Sequence, residues 1–260
     1  MKAVDERSTE AISQKLIQLE KRLKQQEQEI ACLQAHNDIE AFIGKFATMF
    51  NQKNMAKIAD FFALDEPDVS IEPSDAGVLI GAEKVRELYE KTFFIPDIRG
   101  NMLRHNFTNQ VIEVAKDCKT AKGLWWSVGY QSVKHGDDGL RPVWCFSNWA
   151  FDFIRKPEGW KIWHLHCYQV VKCDAQKLWT NDYKDWTSHL QPDVNACNNA
   201  MIEKKLREHL ETTYFNPWTP EAIQEAIPAC PEPYDTWKDG EEDWIFANEP
   251  DMKGSIAVVK

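Results

Sequence analysis

Apolar residues recur at helical spacing in the first forty positions, between stretches of Gln, Glu, Lys and Arg. They are Ile12, Leu16, Leu19, Leu23, Ile30 and Leu33. Steps of three, four and seven predict a heptad seam along one helix, with Gln26 at its single polar core position. Because so narrow a stripe does not stabilise a lone helix, the helix either pairs with a second copy or packs on the body of the protein. We favour self-association and keep packing on the body as the alternative.

The helical pattern continues over residues 38–51, where Ile39, Phe42, Ile43, Phe46 and Phe50 share one side. A short helix is predicted over 54–63, a loop or short strand over 64–77, and a further helix over 81–94. The inner side of that last helix carries Val85, Leu88, Tyr89, Thr92 and Phe93.

After Pro96 the period changes from 3.6 to 2, which indicates strands. Four strand-like runs are predicted at 101–115, 119–133, 142–155 and 159–172. The connections between them are short, so they should form an antiparallel meander. Helices followed by a long antiparallel sheet predict an α+β fold.

The last third of the chain differs in composition. Helices are plausible over 174–190 and 198–213, whereas 214–250 mixes Pro, Trp and acids and builds no core of its own. We expect Trp218, Trp237 and Trp244 to pack against the body or a neighbouring subunit. Three regions follow: a coiled-coil helix over 1–36, the main domain over 37–173, and an acidic extension over 174–260.

Composition and charge narrow the function classes. The 260 residues carry 31 basic and 41 acidic side chains, and the net charge is −10. The acidity lies in 174–260, with 8 basic and 17 acidic residues. An acidic chain is a poor ligand for nucleic acid or anionic membranes, and no apolar run is long enough to span a bilayer. Seven irregularly spaced cysteines and no apolar signal segment favour reduced thiols in a cytoplasmic protein.

Several strings resemble the SnoaL-like branch of the NTF2-like superfamily, the polyketide cyclases and dehydratases. They are FATMFNQKNMAKIADFF, GAEKVRELYE, RHNFTNQVIEVAKDCKTAKGLWW and EGWKIWHLH. The resemblance covers about residues 37–172. It implies a cone in which a curled sheet wraps a pocket closed by helices, and its members include dehydratases, isomerases, cyclases and non-catalytic domains.

Strand alternation then assigns the candidate chemistry. Ile162, His164, His166 and Tyr168 should share one face of the last strand, and Trp144, Phe146, Asn148 and Ala150 one face of the third. The resemblance implies that His105 is a pocket acid or base and that an amide such as Asn148 holds a substrate oxygen. The predicted catalytic residues are His105, His164, His166 and Asn148. We expect His105 and at least one of the two later histidines to line one pocket, with Asn148 nearby. The alternatives are structural roles for His105 and Asn148 and a subunit interface for the two later histidines.

The remaining pocket residues are less directly indicated. Where SnoaL-like enzymes often carry Tyr and Asp in the first helix, this chain has Phe46 and Asn51 or Asn54, which supply neither a proton donor nor a base. Asp60 and Tyr89 are the candidate substitutes. The residues predicted to contact substrate are Phe46, Asp60, Tyr89, Trp144 and Tyr168.

Three functions remain open at this stage. The favoured one is a cofactor-independent lyase (dehydratase) or isomerase that uses histidine acid/base chemistry on an aromatic or polycyclic small molecule. The others are a non-catalytic module that binds such a ligand and an oligomeric assembly protein. A metal held by His105, His164 and His166 is disfavoured, since no carboxylate is placed to complete the site and the resembled family generally uses no metal.

Overall fold

The computed structural model describes residues 6–52, 54–73, 78–92, 100, 102–134, 139–177, 179–180, 214, 217–224 and 227–234. One long helix, α1 (Glu6–Asn51), opens the chain. It runs without a break through the predicted boundary at residues 36 and 37. Its burial begins near Ala35, where apolar residues at helical spacing meet the sheet.

Short elements connect α1 to the main sheet. The predicted helix over 54–63 is instead two 3₁₀ turns, Met55–Lys57 and Ala59–Phe61. Two short strands follow, β1 (Ser70–Pro73) and β2 (Leu79–Ile80). The next helix, α2 (Ala82–Glu87), continues as one π-helical turn, Leu88–Thr92.

Four long strands form the meander that the sequence predicts. They are β3 (Met102–Val114), β4 (Thr120–Lys134), β5 (Leu140–Lys156) and β6 (Gly159–Asp174). The order across the sheet is β2-β1-β6-β5-β4-β3, with β3 to β6 antiparallel to their neighbours and β1 parallel to β6. The predicted α+β fold, a curled antiparallel sheet with an N-terminal helix, is confirmed.

The core lies between the second half of α1 and the inner face of the sheet. It is built on aromatic rings because the curled strands leave a wide space that large side chains fill. Phe46 lies at its centre, with ring centroids of Phe50, Phe61, Phe107, Trp149 and Phe151 within 6.3 Å.

Part of the C-terminal extension lies on the opposite, outer face of the sheet. The Tyr214 ring is 5.8 Å from that of Tyr168, and the Trp218 N–H donates to the Val170 carbonyl at 2.8 Å. Trp218 is half-buried there. Trp237, Trp244, Phe93 and the predicted helix over 198–213 lie outside the described residues, as does nearly all of 178–190.

Candidate functional site

The register of the strands defines which side chains face α1. His105 pairs with Gly129, and Gly129 pairs with Cys145 on the next strand. Two residues from that pair on the same two strands, Ser127 pairs with Ser147. Because pairing preserves the face, these positions share the inner surface with Trp149, which belongs to the core packed on α1. His105 therefore lies on the inner face, as predicted.

The imidazole of His105 is held by polar groups from β4. Its Nδ1 is 2.8 Å from the hydroxyl of Ser127, and its Nε2 is 3.4 Å from the amide nitrogen of Gln131. These contacts fit an imidazole that carries its proton on Nδ1 and donates it to Ser127 Oγ, so that Nε2 presents a lone pair. The ring is thus oriented with its basic nitrogen towards Gln131.

Asn51, the last residue of α1, fixes the backbone of His105. Its Oδ1 accepts the His105 N–H at 2.7 Å, and its Nδ2 donates to the His105 carbonyl at 2.8 Å. β3 is an edge strand, so these backbone groups have no ladder partner on that side. The side-chain amide takes the place of a neighbouring strand and ties the end of α1 to the candidate base.

The space for the ring depends on Gly129. A Cβ atom built there would be 2.8 Å from His105 Cε1 and 2.4 Å from the carbonyl oxygen of Cys145. Aromatic rings close the other sides, with the centroids of Phe50 and Trp149 each 5.7 Å away. Glycine on β4 therefore leaves room for the imidazole beside these rings.

Burial sets the protonation state of His105. The residue is 5% exposed. Loss of hydration, together with the positive charge of Lys172, lowers the pKa of His105 from 6.5 to about 4. His105 is consequently a neutral imidazole at pH 7, the form that accepts a proton.

A groove of about 450 Å³ runs between α1 and β3 beside this histidine. The α1 side includes Glu40, Thr48 and Asn51, and the strand side includes His105 and Gln110. Gln110 donates to Glu40 across the groove at 2.7 Å. The groove brings solvent-accessible space up to the Asn51–His105 pair.

The structure separates the two later histidines from His105. The pairing of β5 with β6 shifts between Asp152 and Phe153, so Ile162 stays on the inner face while His164 pairs with Asp152 on the outer one. His166 and Tyr168 follow His164. The prediction of one common face was therefore wrong, because a β-bulge reverses the alternation inside the strand. Neither His164 nor His166 lines a pocket with His105.

These outer-face histidines belong to a buried cluster of polar side chains. His164 Nδ1 is 3.0 Å from Asp152 Oδ2, and its Nε2 is 3.7 Å from Asp68 Oδ2. His166 Nδ1 is 3.3 Å from Glu72 Oε2. The hydroxyl of Tyr234, from the C-terminal extension, donates to Asp152 at 3.2 Å. The cluster ties β1, β5, β6 and the extension together.

Asn148 and Trp144 also lie on the outer face of β5. Asn148 pairs with Tyr168, and Trp144 stacks on Phe146 with centroids 5.8 Å apart. The sequence analysis grouped these residues correctly on one face of the strand, but it wrongly assigned that face to the pocket. Both faces of β5 carry large apolar residues, because α1 covers one and the C-terminal extension packs against the other.

The other predicted contact residues are in three different environments. Phe46 is fully buried in the core, as described above. Tyr89 is 1% exposed on the inner side with its ring 5.7 Å from Phe62, and burial, with Cys167 nearby, raises the pKa of its hydroxyl. Asp60 is exposed at the surface and lies 3.5 Å from Arg86, so its predicted place in the pocket was wrong. Tyr168 lies on the outer face, stacked on His166 with centroids 3.7 Å apart.

Ser127 and Gln131 are site residues that the sequence analysis missed, and Asn51 appeared there only as a departure from the family pattern. Ser127 and Gln131 lie on the same face of β4 as Gly129, two residues to either side of it, and Gly129 pairs with His105. A glycine opposite a bulky histidine was the available signal. Within the described part of the chain, no group of three or more His, Cys, Asp or Glu side chains is arranged to hold a metal ion. No described helix is long and apolar enough to cross a membrane.

Comparison with known proteins agrees with this architecture. A family profile described as a SnoaL-like domain matches residues 31–166, just over half of the chain. A comparison with curated protein sequences returned no match.

Solved structures with a similar fold have low sequence identity to this chain. A candidate scytalone dehydratase from Novosphingobium aromaticivorans is 10% identical, with a TM-score of 0.44 over 57% of this chain and 92% of its own. A hexachlorocyclohexane dehydrochlorinase, LinA-type3, from Novosphingobium barchaimii is 13% identical, with a TM-score of 0.47 over 58% and 96%. An NTF2-like protein from N. aromaticivorans is 15% identical, with a TM-score of 0.38 over 58% and 88%.

Proposed function

Because the chain belongs to the SnoaL-like domain family, we propose that it is a cofactor-independent lyase of the dehydratase type, or an isomerase, with His105 as its general base. The observation that carries the proposal is the neutral, oriented imidazole of His105 on the inner face of the sheet, with Ser127 on Nδ1 and Gln131 beside Nε2. A buried base with a lowered pKa, next to a groove, is typical of a functional site.

The proposed chemistry starts with proton abstraction next to a carbonyl group. His105 Nε2 accepts the proton from the carbon, and Ser127 stabilises the imidazolium through Nδ1–H. In a dehydration, the C–H electron pair becomes the C=C bond as the C–O bond breaks, and the imidazolium returns its proton to the departing hydroxide as water. In an isomerisation, the proton returns to a different carbon of the same molecule.

Gln131 takes the role that the sequence analysis gave to Asn148. Its side-chain N–H groups lie beside the basic nitrogen, where they donate to the oxyanion that forms on the substrate carbonyl. Phe50 and Trp149 provide apolar walls on either side of the ring. These neighbours fit a small, flat, aromatic or polycyclic carbonyl compound. We also propose a cytoplasmic location, supported by six cysteines among the described residues that are not joined in disulfides.

Turnover of a panel of aromatic and alicyclic β-hydroxy ketones tests the function, with the new conjugated C=C followed by absorbance. We expect His105→Gln to lose at least 100-fold in kcat/KM, a typical contribution of general-base catalysis. Ser127→Ala should lose less, because the imidazole keeps its basic nitrogen. His36→Gln, on α1 far from Asn51, is the matched control and should retain activity. Equal activity of the His105 and His36 variants would refute the proposal.

A non-catalytic binding module is the second candidate, favoured by the hydrogen bonds of Asn51. Both of its polar atoms bond to the His105 backbone, so Asn51 supplies no second acid or base. Two measurements together would favour this candidate. Calorimetry would show saturable binding of the same ketones without turnover, and after incubation in D₂O the carbon next to the carbonyl would carry no deuterium. Deuterium incorporation that His105→Gln abolishes would exclude it.

A further inference from the structure

The first half of α1 extends away from the domain. Every residue from 9 to 30 is exposed, and burial on the body starts only beyond that range. At about 1.5 Å per residue, residues 6–31 form a rod of roughly 40 Å. Helices in water draw most of their stability from packing, which this part of α1 lacks within its own described chain. Among the described residues, α1 is exposed from residue 9 to residue 30, and its contact with the body starts at Gln28, which hydrogen-bonds at the β3–β4 turn.

The apolar seam is on the side of α1 that faces away from the domain. If Leu16 is heptad position a, the side chains that approach the body occupy positions c and f, as Gln28 and Cys32 do at the β3–β4 turn. Ala35 and Ile39 continue that side into the core. At about 100° per residue, positions a and d point to the opposite side of the helix. A second helix therefore fits along the seam without meeting the part of this domain that the structure describes.

The seam itself consists of large apolar side chains in water. Each is between 50% and 67% exposed: Ile12, Leu16, Leu19, Leu23, Ile30 and Leu33. They occupy positions a and d of four successive heptads, the pattern that a coiled-coil partner buries.

Charges beside the seam match a parallel partner in register. Position g carries Lys15, Arg22 and Glu29, and position e carries Glu20 and Glu27. A parallel pair places g beside e of the following heptad on the partner. Lys15 then meets the partner's Glu20, and Arg22 meets the partner's Glu27. Because the two chains of the dimer are related by symmetry, each of these attractive pairs occurs twice.

Antiparallel pairing gives a poorer match. It brings e beside e and g beside g, so the repulsion between Glu20 and the partner's Glu27 offsets the attraction between Arg22 and the partner's Glu29. It also places Gln26, the one polar d position, opposite a leucine. In a parallel pair in register, Gln26 lies opposite the partner's Gln26, and the two amides can bond to each other.

We propose that residues 12–33 form a parallel, in-register, two-stranded coiled coil with a second copy of this chain. The two SnoaL-like domains then lie at the same end of the rod, one on each side. This assembly is independent of the proposed catalysis, because the seam lies outside the groove that contains His105.

Charge reversal on the full chain tests the partner and its direction. We expect sedimentation equilibrium at micromolar concentration and low salt to give twice the 30.2 kDa chain mass. Arg22→Glu should raise the dimer dissociation constant about tenfold, since two attractive pairs become repulsive. Adding Glu27→Arg should restore the affinity. Lys21→Glu makes the same change in net charge at position f and is the matched control.

Cross-linking tests the register separately. Under mild oxidation, Gln26→Cys should form a covalent dimer through residue 26, identified by peptide mass spectrometry, whereas Lys21→Cys should not cross-link through residue 21. The proposal is overturned by a monomeric or trimeric wild-type chain, by equal effects of the charge changes at 21 and 22, by failure of the double variant to recover, or by failure of residue 26 to cross-link.

Discussion

Replacing His105 with glutamine should remove part of the acid sensitivity of folding. The imidazole is buried, and its loss of hydration lowers its pKa from 6.5 to about 4 in the folded protein. Above pH 6.5 the ring is neutral in both the folded and the unfolded chain. As the pH falls from 6.5 towards 4, the unfolded chain binds a proton that the folded chain does not, so the folded state loses stability over that window.

The size of the effect follows from the two pKa values. Between the two pKa values, stability falls by about 1.4 kcal/mol for each pH unit. Between pH 7.5 and pH 4.5 the wild-type chain should lose about 2.5 kcal/mol of stability through His105 alone. Glutamine has a similar length and polarity but no titration, so its variant should lack this loss.

Urea unfolding of the wild-type chain and of His105→Gln, at several pH values between 7.5 and 4.5, measures this loss of stability. The difference in unfolding free energy between wild type and His105→Gln isolates His105, because the other titrating groups are common to both. We expect that difference to change by about 2.5 kcal/mol in favour of the variant as the pH falls. Parallel stability profiles would show that His105 titrates alike in the folded and unfolded states, which would refute its burial as a neutral base.

Three further outcomes test other parts of the structure. Gly129→Ala should destabilise the fold by about 1–3 kcal/mol, because the new methyl group would meet a carbonyl oxygen and the imidazole of His105. Gly44→Ala, in open space on α1, should instead stabilise the fold by about 0.5–1 kcal/mol. Urea unfolding measures both changes. Cys32 and Cys118, with sulfur atoms 3.0 Å apart, should form a disulfide when treated with oxidised glutathione, detected by peptide mass spectrometry and lost in Cys118→Ser. Asp152→Asn should lower the free energy of unfolding by about 1–3 kcal/mol, because it replaces the carboxyl oxygen that accepts hydrogen bonds from His164 and from Tyr234 of the C-terminal extension. An unchanged urea midpoint would contradict this buried cluster.

The resemblance and the residue pattern together predicted the fold well. Periods of 3.6 and 2 are properties of the local chain, so the first helix and the four-strand meander followed from spacing alone. The strand bounds agree within two residues. The segment before the sheet was harder, because 54–63 and 81–94 are too short for periodicity to distinguish an α-helix from 3₁₀ or π turns.

The face of each long strand was only partly determined by the sequence. His105 was assigned to the inner face, where the family resemblance placed it. On β6 the alternation failed, since a register shift opposite Asp152 and Phe153 turned His164 and His166 outward. Such a bulge depends on how two strands pair and twist, which neither strand's own sequence reveals.

The sequence by itself determined the first helix, the meander and the heptad seam, because each depends on residue types and spacing within one segment, and the family resemblance singled out His105. Only the tertiary structure decided that Ser127, Gln131 and Asn51 surround His105. These residues come from different elements, and their meeting requires the register of β3 on β4 and the contact of α1 with the edge strand. Described residues of the C-terminal extension pack near Tyr168 and Asp152 on the outer face of the sheet, and apolar side chains on both faces of β5 concealed which face formed the site.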